Sequence, residues 1–210
     1  MRVVTIKAVL FDFDGVLTTD KTGSLTTTRF LSKRAGIDLA RVQSVFRNFN
    51  DDLTLGRTTH TRVWESICEG LGKNLGIELL KEAFESTPMN ARMLERARDL
   101  HPRYSVGIVT DNKKDRIDHL KQIHNLPSLF DPIAVSAEIG VAKDSPAMFL
   151  GVLRHLSANP NECVFIDNSH ENLVAPRSLG INTIYFDDET QDFEALSSAL
   201  KGLGVAVSDA

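Results

Sequence analysis

Lys7-Ala8-Val9-Leu10-Phe11-Asp12-Phe13-Asp14-Gly15 is the stretch that decides the fold. Its apolar run breaks abruptly at Asp14-Gly15, as a buried strand does on entering a tight turn. A buried strand needs partners, and none follows at once. From residue 17 to about residue 100 the periodicity is helical and no strand is evident. Beyond that interval strands and helices alternate. Residues 104–110 read as a strand, 113–124 as a helix and 133–136 as a short strand. Ser145-Pro146 opens a helix, with a capping residue followed by proline at the first helical position. Its buried face is Phe149, Val152, Leu153 and Leu156. Residues 162–166 form a strand, 170–179 a helix closed by Gly180, 181–186 a strand, and 192–200 a last helix stopping at Gly202.

Such alternation builds a parallel sheet covered on both faces. The first strand joins that sheet across the helical interval. The expected architecture is α/β: a Rossmann-like three-layer parallel-sheet core, residues 1–16 and 101–210, interrupted by a small all-helical domain, residues 17–100. Within the insertion, Val42, Val45, Phe46 and Phe49 make one helical stripe, with Asp38 placed to cap it. Val63, Trp64, Ile67, Cys68 and Leu71 make a second, and Leu79, Leu80, Ala83 and Phe84 a third. Met93, Leu94, Ala97 and Leu100 make a fourth, and the four are expected to pack on each other.

Composition narrows the function classes. The chain has 210 residues, 42% apolar and 25% charged, which is globular and neither disordered nor membranous. A formal charge of −4 offers no argument for a nucleic-acid polymer as partner. Cys68 and Cys163 lie far apart in apolar surroundings and read as buried free thiols. Residues 1–7 hold no apolar stretch long enough for a signal peptide, and no run suits a membrane span, so a cytoplasmic location is expected.

In open parallel sheets, ligands gather at the carboxyl ends of the strands. The polar residues there are Asp12 and Asp14 after the first strand, Thr110 and Asp111 after the second, and Asp167 and Asn168 after the fourth. Lys143 lies in the loop before the helix opened by Pro146. Taken singly, Asp14-Gly15 is explained as a turn, and Thr110 and Asp167 as helix caps. Together they converge on one rim, where carboxylates repel unless a cation is bound. Asp12 and Asp167 are hard oxygen donors of the kind Mg²⁺ takes, with water and substrate completing its shell. Lys143 and a hydroxyl can hold a phosphate, and a helix N-terminus after Thr110 adds backbone N–H groups for the same anion.

The chain resembles the haloacid dehalogenase-like superfamily across this core. Asp12-Phe13-Asp14-Gly15-Val16-Leu17 is similar to that family's first motif and Ile108-Val109-Thr110-Asp111-Asn112 to its second. Gly140-Val141-Ala142-Lys143 followed by Pro146 resembles the third, and Val164-Phe165-Ile166-Asp167-Asn168 with Asn172 the fourth. The resemblance implies a Mg²⁺-dependent phosphatase acting on a small phosphorylated metabolite such as a sugar phosphate. Asp12 would be the nucleophile that forms an aspartyl-phosphate, and Asp14 the acid and then the base. Thr110, Asp111 and Lys143 would hold the phosphate. Asp12, the carbonyl of Asp14, Asp167 and Asn168 would hold the metal.

Two departures stand out. Asn168 replaces the second acid usual in the fourth motif, and Glu171 is a candidate substitute. Lys143 is followed by Asp144-Ser145 before the proline, and Pro176 should kink or shorten the helix after Asn172. An all-helical insert directly after the first motif is similar to the C1 type of cap. Residues 52–64, with Gly56 ahead of a helix containing Trp64, resemble sugar-phosphate and epoxide-hydrolase-like phosphatase members. Arg57, Thr58, His60 and Arg62 are cap residues that either face the substrate or form a solvated surface.

Some features carry no chemistry. Gly70-Leu71-Gly72-Lys73-Asn74-Leu75-Gly76 follows a helix and lacks a Lys-Ser or Lys-Thr closure, so it reads as a helix–helix turn. The histidines show no zinc spacing, and His170 alone falls near the rim, where a surface role is expected. Asp14 argues against dehalogenation, since dehalogenases lack that acid. A sugar phosphomutase and a non-catalytic phosphate-binding protein remain the alternatives.

Overall fold

Strand β1 (Ala8–Phe11) carries apolar side chains on both faces, because successive residues of a strand point to opposite sides. Val9 and Phe11 enter one core, Ala8 and Leu10 the other, so the sheet must be covered by helices on both sides. The computed structural model describes residues 5–208 and has this arrangement. Residues 1–4 and 209–210, the outermost part of the expected core and most of the N-terminal stretch, lie outside the described residues.

After β1 come five helices: α1 (Gly23–Ala35), α2 (Leu39–Arg47), α3 (Asn50–Thr54), α4 (His60–Leu71) and α5 (Glu78–Glu85). Then follow α6 (Ala91–Leu100), β2 (Ser105–Thr110), α7 (Lys114–Ile123), β3 (Ile133–Val135) and α8 (Ser136–Ile139). The chain ends with α9 (Pro146–Leu156), β4 (Cys163–Asp167), α10 (Val174–Ser178), β5 (Asn182–Tyr185) and α11 (Phe193–Gly202). The strands form one parallel sheet, order β3-β2-β1-β4-β5, with β1 at its centre. Leu100 of α6, Ile117 of α7 and Leu196 of α11 pack with Val9 and Phe11 on one face. Phe149 and Leu153 of α9 and Ala175 of α10 pack with Leu10 on the other. This is the Rossmann-like three-layer α/β fold expected, with all five strands.

Local rules place the caps. Asp38 accepts from the amide of Arg41 at 3.0 Å to start α2, and Ser145 accepts from Ala147 at 3.3 Å to start α9. Gly72 ends α4, so the glycine-rich stretch is a helix–helix turn. Both cysteines are free and buried. Among the described residues no helix is long and apolar enough to cross a membrane.

Three expectations need correction. Only three of the four stripes pack on each other: Phe46, Trp64, Ile67 and Phe84 share a separate core, whereas Met93, Ala97 and Leu100 join the sheet. An amphipathic stripe says that a face is buried, not against what. Helix α1 was not expected, because its buried face is built from Thr26, Thr27 and Thr28 around Leu31 and so shows little apolar period. The helix expected over 170–179 is reduced to α10, preceded by turns in which Leu173 and Val174 bond back to His170 and Glu171. Pro176 has no N–H for the preceding turn, which accounts for the late start.

The insertion is tied to the core at the start of α4. Asp115 of α7 accepts from the backbone N–H of His60 at 2.9 Å and sits 2.8 Å from His60 Nδ1. It caps α4 from another element, since Thr59 makes no side-chain cap. Burial alone would raise the Asp115 carboxyl, but its bonds to His60 outweigh that and hold it below its usual value. A depressed carboxylate adds stability above its unfolded pKa, about 3.9, that is lost as pH falls through its lower folded value. His60→Ala is expected to cost about 2 kcal/mol, read as a drop in Tm of roughly 6 °C. It should also lessen the loss of Tm below about pH 4, since the imidazole that lowers Asp115 is gone while the backbone N–H bond remains.

Candidate active site

Because the strands are parallel, the ends of β1, β2 and β4 meet at one rim. Asp12 leaves β1 extended, its amide bonded to the Ile166 carbonyl at 2.8 Å. Gly15, at φ 79°, then reverses the chain in the left-handed region that favours glycine. A Cβ on Gly15 would lie 2.1 Å from Asn168 Nδ2, so any other residue would push Asn168 aside as well as strain the turn.

Lys143 is the hub of the rim. Its Nζ lies 2.8 Å from Asp12 Oδ1 and 2.7 Å from Asp167 Oδ2, and all three side chains are almost wholly buried. Asp12 Oδ1 also accepts from the Phe13 amide at 2.7 Å. Asn172 Nδ2 donates to both oxygens of Asp167 at 3.2 Å, and the Ser169 amide to Oδ1 at 2.7 Å. Burial pushes the Asp12 carboxyl well above the usual range; Asp167 and Asp14 add to the rise and Lys143 opposes it. Burial disfavours the Lys143 ammonium too, but Asp12, Asp167 and Asp111 outweigh that and raise it.

The other expected residues fall around the same space. Asp12, Asp14, Thr110, Asp111, Lys143 and Asn168 all line a cavity of about 780 Å³ between core and insertion. Asp167 sits beneath it, reached through Lys143. Asp111 is partly committed, since its Oδ1 accepts from the backbone N–H of Lys143 at 2.9 Å. The helix after Thr110 starts only at Lys114, and two of the intervening amides are already used. Asn112 N–H donates to Ser136 Oγ, and Lys113 N–H to Asn112 Oδ1, both at 3.0 Å. The expectation of free amides for an anion immediately after Thr110 is therefore corrected at those two positions.

Asn168 donates to Asp188 Oδ1 at 3.2 Å, so the carboxylate beside it comes from the loop after β5. Glu171 is exposed and does not line the cavity. Asp188 is twenty residues downstream, and no local spacing announces it. Of the four cap residues singled out, only His60 lines the cavity, and it is buried. Arg57 pairs with Asp52 on the exterior at 3.0 Å, and Arg62 is exposed. The cap side is instead Thr27, Thr28, Gln43, Phe46, Arg47 and Asn50. His170 is exposed and stacks on Tyr185, ring centroids 3.9 Å apart. Arg116 and Asn112, which bond Asp14, also went unforeseen. Their signal was a polar pair four residues apart leading into the buried face of α7.

The donor set suits a small hard cation. Two buried carboxylates share one ammonium, and burial keeps the Asp12 carboxyl raised although Lys143 opposes it. No group of three or more His, Cys, Asp or Glu side chains forms a metal cage among the described residues.

A family model described as haloacid dehalogenase-like hydrolase matches residues 6–180. The chain is 34% identical over 124 residues to bifunctional epoxide hydrolase 2 of Rattus norvegicus, covering 56% of this chain but 22% of that protein. It thus spans about a fifth of that relative's length. It is 25% identical over 213 residues to YhcW of Bacillus subtilis, a protein assigned as a phosphatase, covering 91% of this chain and 93% of that one. A similar solved structure is the family enzyme bt-2542 of Bacteroides thetaiotaomicron, wild type, in complex with magnesium and inorganic phosphate. Its TM-score is 0.69 at 22% identity, over 91% of this chain and 98% of that one, which speaks to the fold.

Proposed function

The chain belongs to the haloacid dehalogenase-like hydrolase family, and from that we propose that it is a Mg²⁺-dependent phosphomonoester hydrolase acting on a small phosphorylated metabolite. Sugar phosphates are the class to test first. The observation that carries the proposal is the Asp12–Lys143–Asp167 cluster under a cavity that also presents Asp14 and Thr110. The magnesium and phosphate complex of bt-2542 supports the choice of metal.

Asp12 attacks phosphorus and forms an aspartyl-phosphate, splitting one difficult displacement into two. Asp14 gives its proton to the departing oxygen, then takes one from the water that releases phosphate. The Thr110 hydroxyl and Lys143 ammonium stabilise the phosphoryl oxygens as charge moves among them. Asp12, the carbonyl of Asp14 and Asp167, with Asn168 acting through a water, would hold Mg²⁺, which supplies neutralising charge to those oxygens when bound. Helices α1 to α5 serve as the cap, and Gln43, Arg47 and Asn50 present polar groups to the substrate's remaining part. Helix α6 is assigned to the core domain, which moves the boundary from residue 100 to about residue 90.

Phosphate release from p-nitrophenyl phosphate and from a panel of sugar and nucleotide phosphates tests this, with Mg²⁺ and with chelator. Release that requires Mg²⁺ is expected. Absence of release with metal bound would overturn it in favour of a binding protein. Interconversion of sugar phosphate isomers faster than hydrolysis would make the protein a mutase.

Lys113 adds a pH dependence. It lines the cavity, half-buried, with Ser24 Oγ at 3.4 Å from its Nζ. Burial pulls its ammonium down to about 8, Arg116 adding to the effect and Asp14 opposing it. The charge is present below that pH and lost above it. KM for a phosphate ester should therefore rise by roughly tenfold between neutral and alkaline pH. Lys113→Met should flatten that rise.

A further inference from the structure

Asp14 does not stand free at the rim. Arg116 Nη1 donates to one of its oxygens and Nη2 to the other, both at 2.9 Å, and Asn112 Nδ2 adds a bond of 2.8 Å. A planar fork matched to both oxygens fixes the orientation of the carboxylate as well as its position. Arg116 is 1% exposed, and its Nε has no hydrogen-bond partner. An unsatisfied buried N–H is a cost, and the fork on Asp14 is what the side chain gains in return.

The same guanidinium touches both segments by which the cap is attached. Nη2 donates to Thr87 Oγ1 at 3.2 Å, on the segment leaving the cap. On the entering side, Gly23 packs so close that a Cβ there would lie 2.2 Å from Arg116 Cζ. These two segments are joined to each other by the Thr18–Met89 bridge and by the Thr19 amide on the Pro88 carbonyl at 2.9 Å. One buried side chain thus connects the hinge of the cap to the acid–base carboxylate.

We propose that Arg116 is a positioning residue that sets Asp14 according to the seat of the cap. The proposal rests on Asp14 having the acid–base role given above. In the first step the Asp14 proton passes to the leaving oxygen as its bond to phosphorus breaks and the Asp12–phosphorus bond forms. In the second, a water oxygen bonds to phosphorus, its proton passes to Asp14, and the bond to Asp12 breaks. p-Nitrophenolate leaves without needing a proton, so with this ester the first step does not use Asp14; the carboxylate held by Arg116 takes the water proton in the second, and a displaced Asp14 slows chiefly that step.

The test measures steady-state and rapid-mixing kinetics on p-nitrophenyl phosphate with Mg²⁺, for wild type, Arg116→Met, Arg116→Lys and Gly23→Ala. Arg116→Met should lower kcat by roughly 100-fold, the scale of a misplaced catalytic group, with KM falling alongside it and kcat/KM little changed, because the slowed step follows the one that consumes the ester. It should also show a burst of p-nitrophenolate stoichiometric with enzyme, because aspartyl-phosphate accumulates while awaiting its base. Arg116→Lys, which cannot span both oxygens, should fall between. Gly23→Ala keeps every charge but displaces the guanidinium, and should show the same burst with a smaller loss; it decides the matter where Arg116→Met fails to fold. A lower kcat without a burst would mean a merely structural role and overturn the proposal. Active wild type with unchanged variants would overturn it alone, whereas wild type that releases no phosphate would overturn the proposed function with it.

Discussion

Asp12→Asn should abolish phosphate release, by at least about 10⁴-fold, while leaving the fold intact. The amide cannot attack phosphorus, and nothing else at the rim can replace it: Asp167 is bound to Lys143, Asn172 and Ser169, and Asp14 to Arg116 and Asn112. The effect on stability should run the other way. Burial raises the Asp12 carboxyl, so its folded-state proton affinity exceeds that of the unfolded chain. Such a group favours folding at low pH, and that contribution fades as pH rises, so at neutral pH its ionised form costs stability. A neutral isostere removes the cost, and the variant's Tm without metal should equal or exceed that of wild type. Retained hydrolysis would displace Asp12 as nucleophile. A large fall in Tm would contradict the electrostatic account of the cluster.

Lys143→Met should be damaging on both counts. It leaves Asp12 and Asp167 buried together with no cation at 2.8 and 2.7 Å between them. Removing one partner from a buried ionic cluster costs about 3–5 kcal/mol, and losing a charge aimed at the phosphoryl oxygens costs on the order of 10²–10³ in kcat. Mg²⁺ should then raise Tm more in the variant than in wild type, since binding to the folded state alone is stabilising and the variant lacks a rival cation. Thermal melts with Mg²⁺ and with chelator read this directly. Equal metal-free Tm values for variant and wild type would show that Lys143 does not neutralise the pair.

Much of this site was legible because the first, second and fourth strands end in a polar residue whose position is local information. An apolar run closing in Asp12, Thr110 or Asp167 locates a strand end, and a parallel sheet brings those ends together without further instruction. The strand–helix alternation implied that sheet, and the helical stripes implied an insertion. The positions of Asp38, Ser145 and Pro176 foretold two helix starts and the shortening of α10.

The rest depended on contacts between segments distant in the chain, to which periodicity is blind. Arg116 reaches Asp14 across 102 residues, and Asn168 finds Asp188 across 20. Helix α1 was hidden because threonines bury one side of it, and the stripe of α6 could not say whether cap or sheet would receive it. The sequence by itself determined the sheet, the polar residues at its rim and the nucleophile to test. Only the tertiary structure decided which carboxylate stands beside Asn168, which cap residues line the cavity and what holds Asp14 in place. The first set follows from local backbone rules and burial, whereas the second follows from contacts that bring segments distant in the chain together.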